Sequence, residues 1–331
     1  MDLEAFLLGL FSRNLNVYEN VVKSRANLDH VDTPAFIKIL DLLNVNEKKN
    51  LRLTNKRVKL RVEDLAPEIS VFTARSPNTM REIMTSEHIE GVHLLLDKVI
   101  GSELAELLEL CKTYLRSLKC TPDMLEFKAL NCNILLPQME EIKLNCNYFV
   151  RVVVLSSDNC LSFPGTTMEL SMPSLKSLNL RESEIRSTQE NISFVKLKQF
   201  EIHTCKVTEQ TLMRIFTHSG QGLKVLKLSR VGVSFESLAG GIMLPSLETL
   251  QIEFCEELTD AGLYNLLKTV GSNLKVLKLS SCPINCESLR DDLKFPKLET
   301  ISVRFCDLSR MGLQLLKEMA GEKLKDLEYG S

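Results

Sequence analysis

The chain has 331 residues, ten cysteines, no tryptophan and a formal net charge of −2. Its 44% hydrophobic and 25% charged content is that of a globular chain and excludes collagen-like and low-complexity classes. The balanced charge argues against a nucleic-acid partner, and no apolar run approaches the about 18 residues that a membrane span needs.

The N-terminus MDLEAFLLGLFSR lacks a basic leader region and carries Asp2 and Glu4, so a secretory signal is not expected. Residues 1–32 are expected to form a helical extension. Residues 33–75 follow as a second helical module. Thr33 then Pro34 is an N-cap followed by proline at the first helical position. Phe36, Ile37, Ile39, Leu40 and Leu43 then form an apolar stripe. A second helix is expected from Asn46 and Glu47, carrying Leu51 and Leu53 and ending in Lys56, Arg57 and Val58. Two short helices cannot bury both faces alone, so these leucines require a partner or the rest of the chain. The basic run from Lys48 to Arg61 is read as a solvated helix face.

Residues 76–114 are expected to be a linker and helical cap. Pro67 and Ser76-Pro77-Asn78 mark loops. Ser102 and Glu103, with leucines 104, 107, 108 and 110, predict a helix. His88 and His93 are five apart, a spacing that does not suit a metal pair on one helix.

From 115 to 331 the chain repeats. Residues 223–229 and 274–280 share the seven letters LKVLKLS, and LPSLETLQIEFC at 244–255 is echoed by FPKLETISVRFC at 295–306. Leu223, Leu274 and Leu324 mark copies of a paired unit about 50 residues long, each half an LxxLxL segment. The strand cores are Leu175-Leu178-Leu180, Leu197-Phe200-Ile202, Leu223-Leu226-Leu228, Leu247-Leu250-Ile252, Leu274-Leu277-Leu279 and Leu298-Ile301-Val303. A partial one is Leu324-Leu327-Tyr329, and earlier candidates are Leu115-Leu118-Cys120 and Met139-Ile142-Leu144. Residues 145–174 read as a degenerate or insertion-bearing repeat. Thr208, Thr259 and Ser309 are expected as helix N-caps, with Gly220, Gly271 and Gly321 as C-caps. The alternate repeats enter their strands through Pro137, Pro173, Pro245 and Pro296, which predicts an extended entry.

Cys205, Cys255, Cys282 and Cys306 each lie three residues after the last strand apolar, a packing position for a small thiol. Many thiols without disulfide spacing favour a reducing compartment, so a cytoplasmic or nuclear location is expected. Cys282 and Cys286 have no second pair at zinc spacing and no nearby histidine, so no metal is implied. Gly220 and Gly222 lack a third glycine and precede a strand, which excludes a phosphate loop. No nucleophile elbow or triad can be argued, so no catalytic residue and no cofactor is assigned.

The strand, cysteine and Leu-Thr-Asp-x-Gly-Leu order in EFCEELTDAGLYNLL resembles the cysteine-containing leucine-rich repeat. The expected fold class is α/β, a solenoid with parallel strands on its concave face and helices on its convex face. Alternate strand residues should line the concave face as a target-binding surface. They are Gln199, Glu201 and His203, then Lys227, then Thr249, Gln251 and Glu253, then Lys278, then Thr300, Ser302 and Arg304. Their mixed charge favours no ligand class.

The segment 33–58 resembles an F-box, the helical module that docks on a Skp-type adaptor of a cullin-RING ubiquitin ligase. Pro34 matches the start of its first helix, Ile39-Leu40 and Leu43 its apolar core, and Leu51 to Arg57 its second helix. Thr33, Thr54 and Val58 depart from the family's usual leucine, valine and tryptophan. The resemblance implies adaptor binding through Pro34, Ile37, Ile39, Leu40, Leu43, Leu51, Leu53 and Val58. It implies a substrate-recognition subunit whose target is unknown. The alternative is a stand-alone interaction scaffold or inhibitor with no ligase role.

Overall fold

In a computed structural model, the described residues are 71–84, 89, 91–123, 133–146, 152–156, 160–162, 169–187, 194–238, 242–290 and 292–330. The hairpin expected at 33–58, with every adaptor-binding residue named above, lies outside them. The chain divides into two compact units, 1–73 with 82–92 and 74–81 with 93–331. The second unit carries the repeats.

Its main sheet takes its strands in chain order. They are β1 (Gly91–Ile100), β2 (Leu115–Asp123), β3 (Glu141–Asn145), β4 (Ser177–Arg181) and β5 (Gln199–His203). Then come β6 (Val225–Ser229), β7 (Thr249–Glu253), β8 (Val276–Ser280), β9 (Thr300–Arg304) and β10 (Asp326–Gly330). From β2 onward every neighbouring pair is parallel and in register, Leu226 opposite Leu250 and Leu250 opposite Leu277. The register follows from the sequence period of two, since a slip of one residue would turn the leucines outward. Leu178, Phe200, Leu226, Leu250, Leu277 and Ile301 make one buried row. Leu180, Ile202, Leu228, Ile252, Leu279 and Val303 make a second. Burying one such side chain is worth about 1.5–3 kcal/mol, so the rows are the core of the repeat array.

Residues 91–100, expected within a helical cap, are instead strand β1, followed by helix α1 (Gly101–Cys111). In Val92-His93-Leu94-Leu95-Leu96, residues 92, 94 and 96 are buried and 93 and 95 less so, the alternation of a half-buried strand. The helix predicted from Ser102, Glu103 and the leucines that follow is α1.

Behind the sheet, helical and turn repeats alternate as expected. Helices α2 (Glu209–Ser219), α3 (Asp260–Thr269) and α4 (Arg310–Ala320) follow β5, β7 and β9. Thr208, Thr259 and Ser309 cap them, their side-chain oxygens accepting from the N–H groups of Thr211, Gly262 and Gly312 at 3.2, 3.0 and 2.9 Å. Of the predicted C-caps, Gly220 and Gly321 do cap α2 and α4, and Gly271 does not cap α3. Gly220 is right-handed at φ −66°, and α3 ends at Val270 before Gly271. Of the three, Gly321 alone is left-handed, at φ 69°. Gly271 is needed for close approach, because a Cβ there would lie 2.7 Å from the Pro245 backbone.

The prolines also differ from expectation. Pro137, Pro173, Pro245 and Pro296 occupy the second position of a turn closed by a backbone hydrogen bond, as in Leu247 N–H to Leu244 O at 3.2 Å. Proline's fixed φ suits that position of a β-turn, and the strand begins only afterwards.

The irregular stretch at 145–174 is an insertion in a second, six-stranded sheet. Val152–Ser156, Cys160–Ser162 and Glu169–Ser171 run antiparallel in sequence, and the outer pairs of the same sheet are parallel.

Candidate interaction surface

Each repeat from β4 to β9 turns the corner after its strand by one residue of positive φ. These are Glu182, Thr204, Arg230, Phe254, Ser281 and Phe305, all between 52° and 55°. All six are types that seldom visit the left-handed region, and none is glycine, asparagine, aspartate or histidine. Two local features hold them there. Each one's N–H donates to a carbonyl of the following strand, as in Phe254 to Ser280 O at 2.8 Å and Phe305 to Gly330 O at 2.9 Å. Then, in four repeats, a cysteine comes next. The thiols of Cys205, Cys255, Cys282 and Cys306 donate to the carbonyl two residues back, at 3.3–3.4 Å. Cys205 also reaches Leu180 O in the preceding strand, at 3.4 Å. The cysteine row therefore ties four of the six corners to their own strands, a role beyond the packing expected from the sequence.

The residues expected to contact a target sit on the open face of the sheet, between the buried rows. Gln199, Glu201, His203, Lys227, Thr249, Gln251, Glu253 and Thr300 are half-buried, and Lys278 and Arg304 are exposed. Ser302 departs from the expectation of an open contact residue. It is 7% exposed, and its hydroxyl donates to Glu328 Oε2 at 3.1 Å.

Several of these side chains are committed to one another. Glu201 accepts from Lys227, Asn179 and, at 2.9 Å, Gln199. Burial raises the Glu201 pKa, but the hydrogen bonds and charge of Lys227, with Gln199 and Asn179, outweigh it and hold the carboxyl below its ordinary value. Gln251 donates to Glu253 at 2.7 Å, and Arg304 pairs with Glu328 at 2.9 Å. Burial, with Arg181 and Arg230 nearby, pulls the His203 pKa below its ordinary value, so the ring is neutral at pH 7.

Two features of this surface were missed from the sequence. The corner residues form a rim on which Phe254 and Phe305 are 45% and 64% exposed, with the Arg230 guanidinium 5.1 Å from the Phe254 ring. Their signal was present, since both are the residue before the ladder cysteine. At the β1–β4 end the face is cationic. Lys119 and Lys143 stand directly opposite each other, and Arg181 stands opposite Asn145. The alternation that placed Leu118, Cys120, Ile142 and Leu144 inward also turns both lysines outward.

Among the described residues no group of three potential metal ligands occurs, and no helix is long and apolar enough to cross a membrane. Cys286 is fully buried, and burial pushes its thiol up to about 12. It fills a left-handed turn at φ 64°.

A family model described as Leucine Rich repeat matches residues 244–267. No curated protein matches the chain. The matched stretch runs from the turn before β7 to the end of α3. The registered parallel sheet repeats its geometry on both sides. The long parallel sheet, its helices and this match fit an α/β leucine-rich-repeat solenoid, and the match supports a repeat scaffold for protein interactions.

Proposed function

We propose that this chain is the substrate-recognition subunit of an SCF-type ubiquitin ligase, the assembly of Skp-type adaptor, cullin and F-box protein. The observation that carries the reading is the stacked cysteine row of the solenoid, a repeat subtype typical of F-box proteins, on a chain whose segment 33–58 resembles an F-box. In this reading Pro34, Ile37, Ile39, Leu40, Leu43, Leu51, Leu53 and Val58 hold the adaptor, and the open strand face takes the target protein. The solenoid would supply proximity, which raises rates without any reactive group of its own. The location in this reading is cytoplasmic or nuclear, in keeping with the free thiols among the described cysteines.

The test is a pull-down with purified Skp-type adaptor, comparing the intact chain with Leu40→Asp/Leu43→Asp. The expected result is capture by the intact chain and loss with the double change. A folded intact chain that captures no adaptor overturns the ligase reading and leaves a stand-alone interaction scaffold.

A further inference from the structure

The open face is not uniform in how its charges are used. Toward its middle and C-terminal end, Lys227 pairs with Glu201 and Arg304 with Glu328. At the N-terminal end a cavity of about 390 Å³ is lined by Arg75, Asp97, Lys119, Lys143, Asn145 and Arg181 among others. All of these belong to the second unit. The four cations of the cavity have no ion-pair partner among the described residues, and Asp97 is its one carboxylate.

Two further observations show that this arrangement costs free energy. Lys119 and Lys143 face each other across adjacent strands, roughly 4.8 Å apart at the backbone, and like charges directly opposite are destabilising. Burial, with Arg181 and Lys119 beside it, lowers the Lys143 pKa from its ordinary value. At the same wall Arg181 Nε and Asn145 Oδ1 are buried without a hydrogen-bond partner among the described residues. A buried guanidinium N–H with no acceptor is costly and is rare in native proteins. An anion with several acceptor oxygens, seated between the two lysines and the arginine, would offset the lysine repulsion and take the Arg181 N–H, with the Asn145 amide turned to present its N–H rather than Oδ1.

We infer that the β1–β4 end of the open face is a binding site for a phosphate monoester. Arg181 and Arg75 offer planar forks suited to phosphate oxygens, and Lys119 and Lys143 supply point charges. The cavity holds more than a carboxylate, and its three-to-four cations match a group of charge near −2. A nucleic-acid strand does not fit, because the surface beyond β4 is charge-balanced and offers no continuing basic track. The monoester comes either from a phosphorylated side chain of a bound protein or from a free phosphate compound. The site stands on this geometry alone, whether or not the chain docks an adaptor.

The experiment is a calorimetric titration of the full chain at low salt with N-acetyl-phosphoserine amide, inorganic phosphate and N-acetyl-aspartate amide. Saturable phosphoserine binding is expected, weakened at least tenfold by Lys143→Gln and retained by Lys143→Arg. Asp97→Asn should tighten it severalfold, and Lys317→Gln, a cation on helix α4, should leave it unchanged. Melting curves establish that each variant is folded. Preference for phosphoserine over inorganic phosphate supports the site and assigns it to a modified partner. Equal affinity for the two supports the site and assigns it to a free phosphate. No saturable binding of either, the same affinity in Lys143→Gln, or aspartate binding as tightly as phosphoserine overturns the proposal.

Discussion

At the scale of single residues, close approach decides which glycines matter. A Cβ on Gly262 would lie 1.7 Å from Ser234 O, and one on Gly312 would lie 2.0 Å from Asn285 O. Both glycines sit in the first turn of a helix that packs on the preceding repeat's left-handed turn, at Phe235 (φ 61°) and Cys286 (φ 64°). Gly232 is different, since its nearest atoms belong to the flexible end of Glu257, at 3.3 Å. Gly262→Ala is therefore expected to destabilise by about 1–3 kcal/mol or more, as forced overpacking does. Gly232→Ala should change stability little. Thermal melts of the two variants check the contrast, and equal melting points would contradict it.

Charge acts at the same scale. The folded-state pKa of Glu201 is depressed, so its contribution is present above the ordinary carboxylate pKa. It is lost as pH falls through the lower, folded-state value. Glu201→Gln should then cost about 1 kcal/mol at pH 7, the scale of a well-placed ion pair. The difference from the intact chain should shrink below about pH 4. Melting temperature followed from pH 7 to pH 3 reads this directly. A gap that stays constant across the range would show that charge is not the cause.

At the scale of elements, the Leu-Thr-Asp-x-Gly-Leu segment shows what the repeat pattern is for. Leu258 is buried, Thr259 caps α3, and Gly262 lets the helix sit down on its neighbour. Asp260 reaches the other way. Its carboxylate accepts from the Asn285 N–H at 3.2 Å and the Cys286 N–H at 2.5 Å, fixing the next repeat's turn. Glu209 does the same one pair earlier, accepting from Ser237 N–H at 2.9 Å. Thr259→Ala should cost about 0.5–2 kcal/mol through loss of the cap. Asp260→Asn should keep α3 intact but speed amide exchange at 285 and 286. Hydrogen exchange separates the two, and a uniform change across the array in both variants would show no local role.

The caps, the strand cores and the alternation of helical and turn repeats were all legible, because each rests on local chemistry repeated at a fixed interval. The prolines were misjudged because proline fixes φ alone. Whether that φ serves a turn or a strand is set by the residue two later, whose N–H closes the turn. The insertion at 152–171 was recognised only as irregular spacing. Its strands are short and pair with strands from other repeats, so no single stretch carries their periodicity. The corner residues were hidden for another reason: nothing about Phe254 or Phe305 as a residue type favours positive φ, and the ladder imposes it.

At the scale of the whole molecule, the main sheet has few long-range choices to make, because each of its strands meets only the one before and the one after it in that sheet. Its open face was legible from period two alone in β4 to β9. The cationic end was not weighed, because without a fixed repeat count before Leu175 the outward lysines had no place in the surface. What distinguishes that end is an imbalance across three strands, which a reading of one strand at a time does not show.

The left-handed corners have a consequence for any extended segment that crosses the strands. Neighbouring strands are about 4.8 Å apart, while a chain in the three-fold polyproline II conformation advances about 3.1 Å per residue, so the two rulers disagree at every step. They coincide again after two strands and three residues, near 10 Å. Phe254 and Phe305 are two strands apart on the rim. A peptide lying along the rim would meet this aromatic pair with every third side chain and pass the smaller Ser281 in between, so the spacing of the corners sets a reading frame.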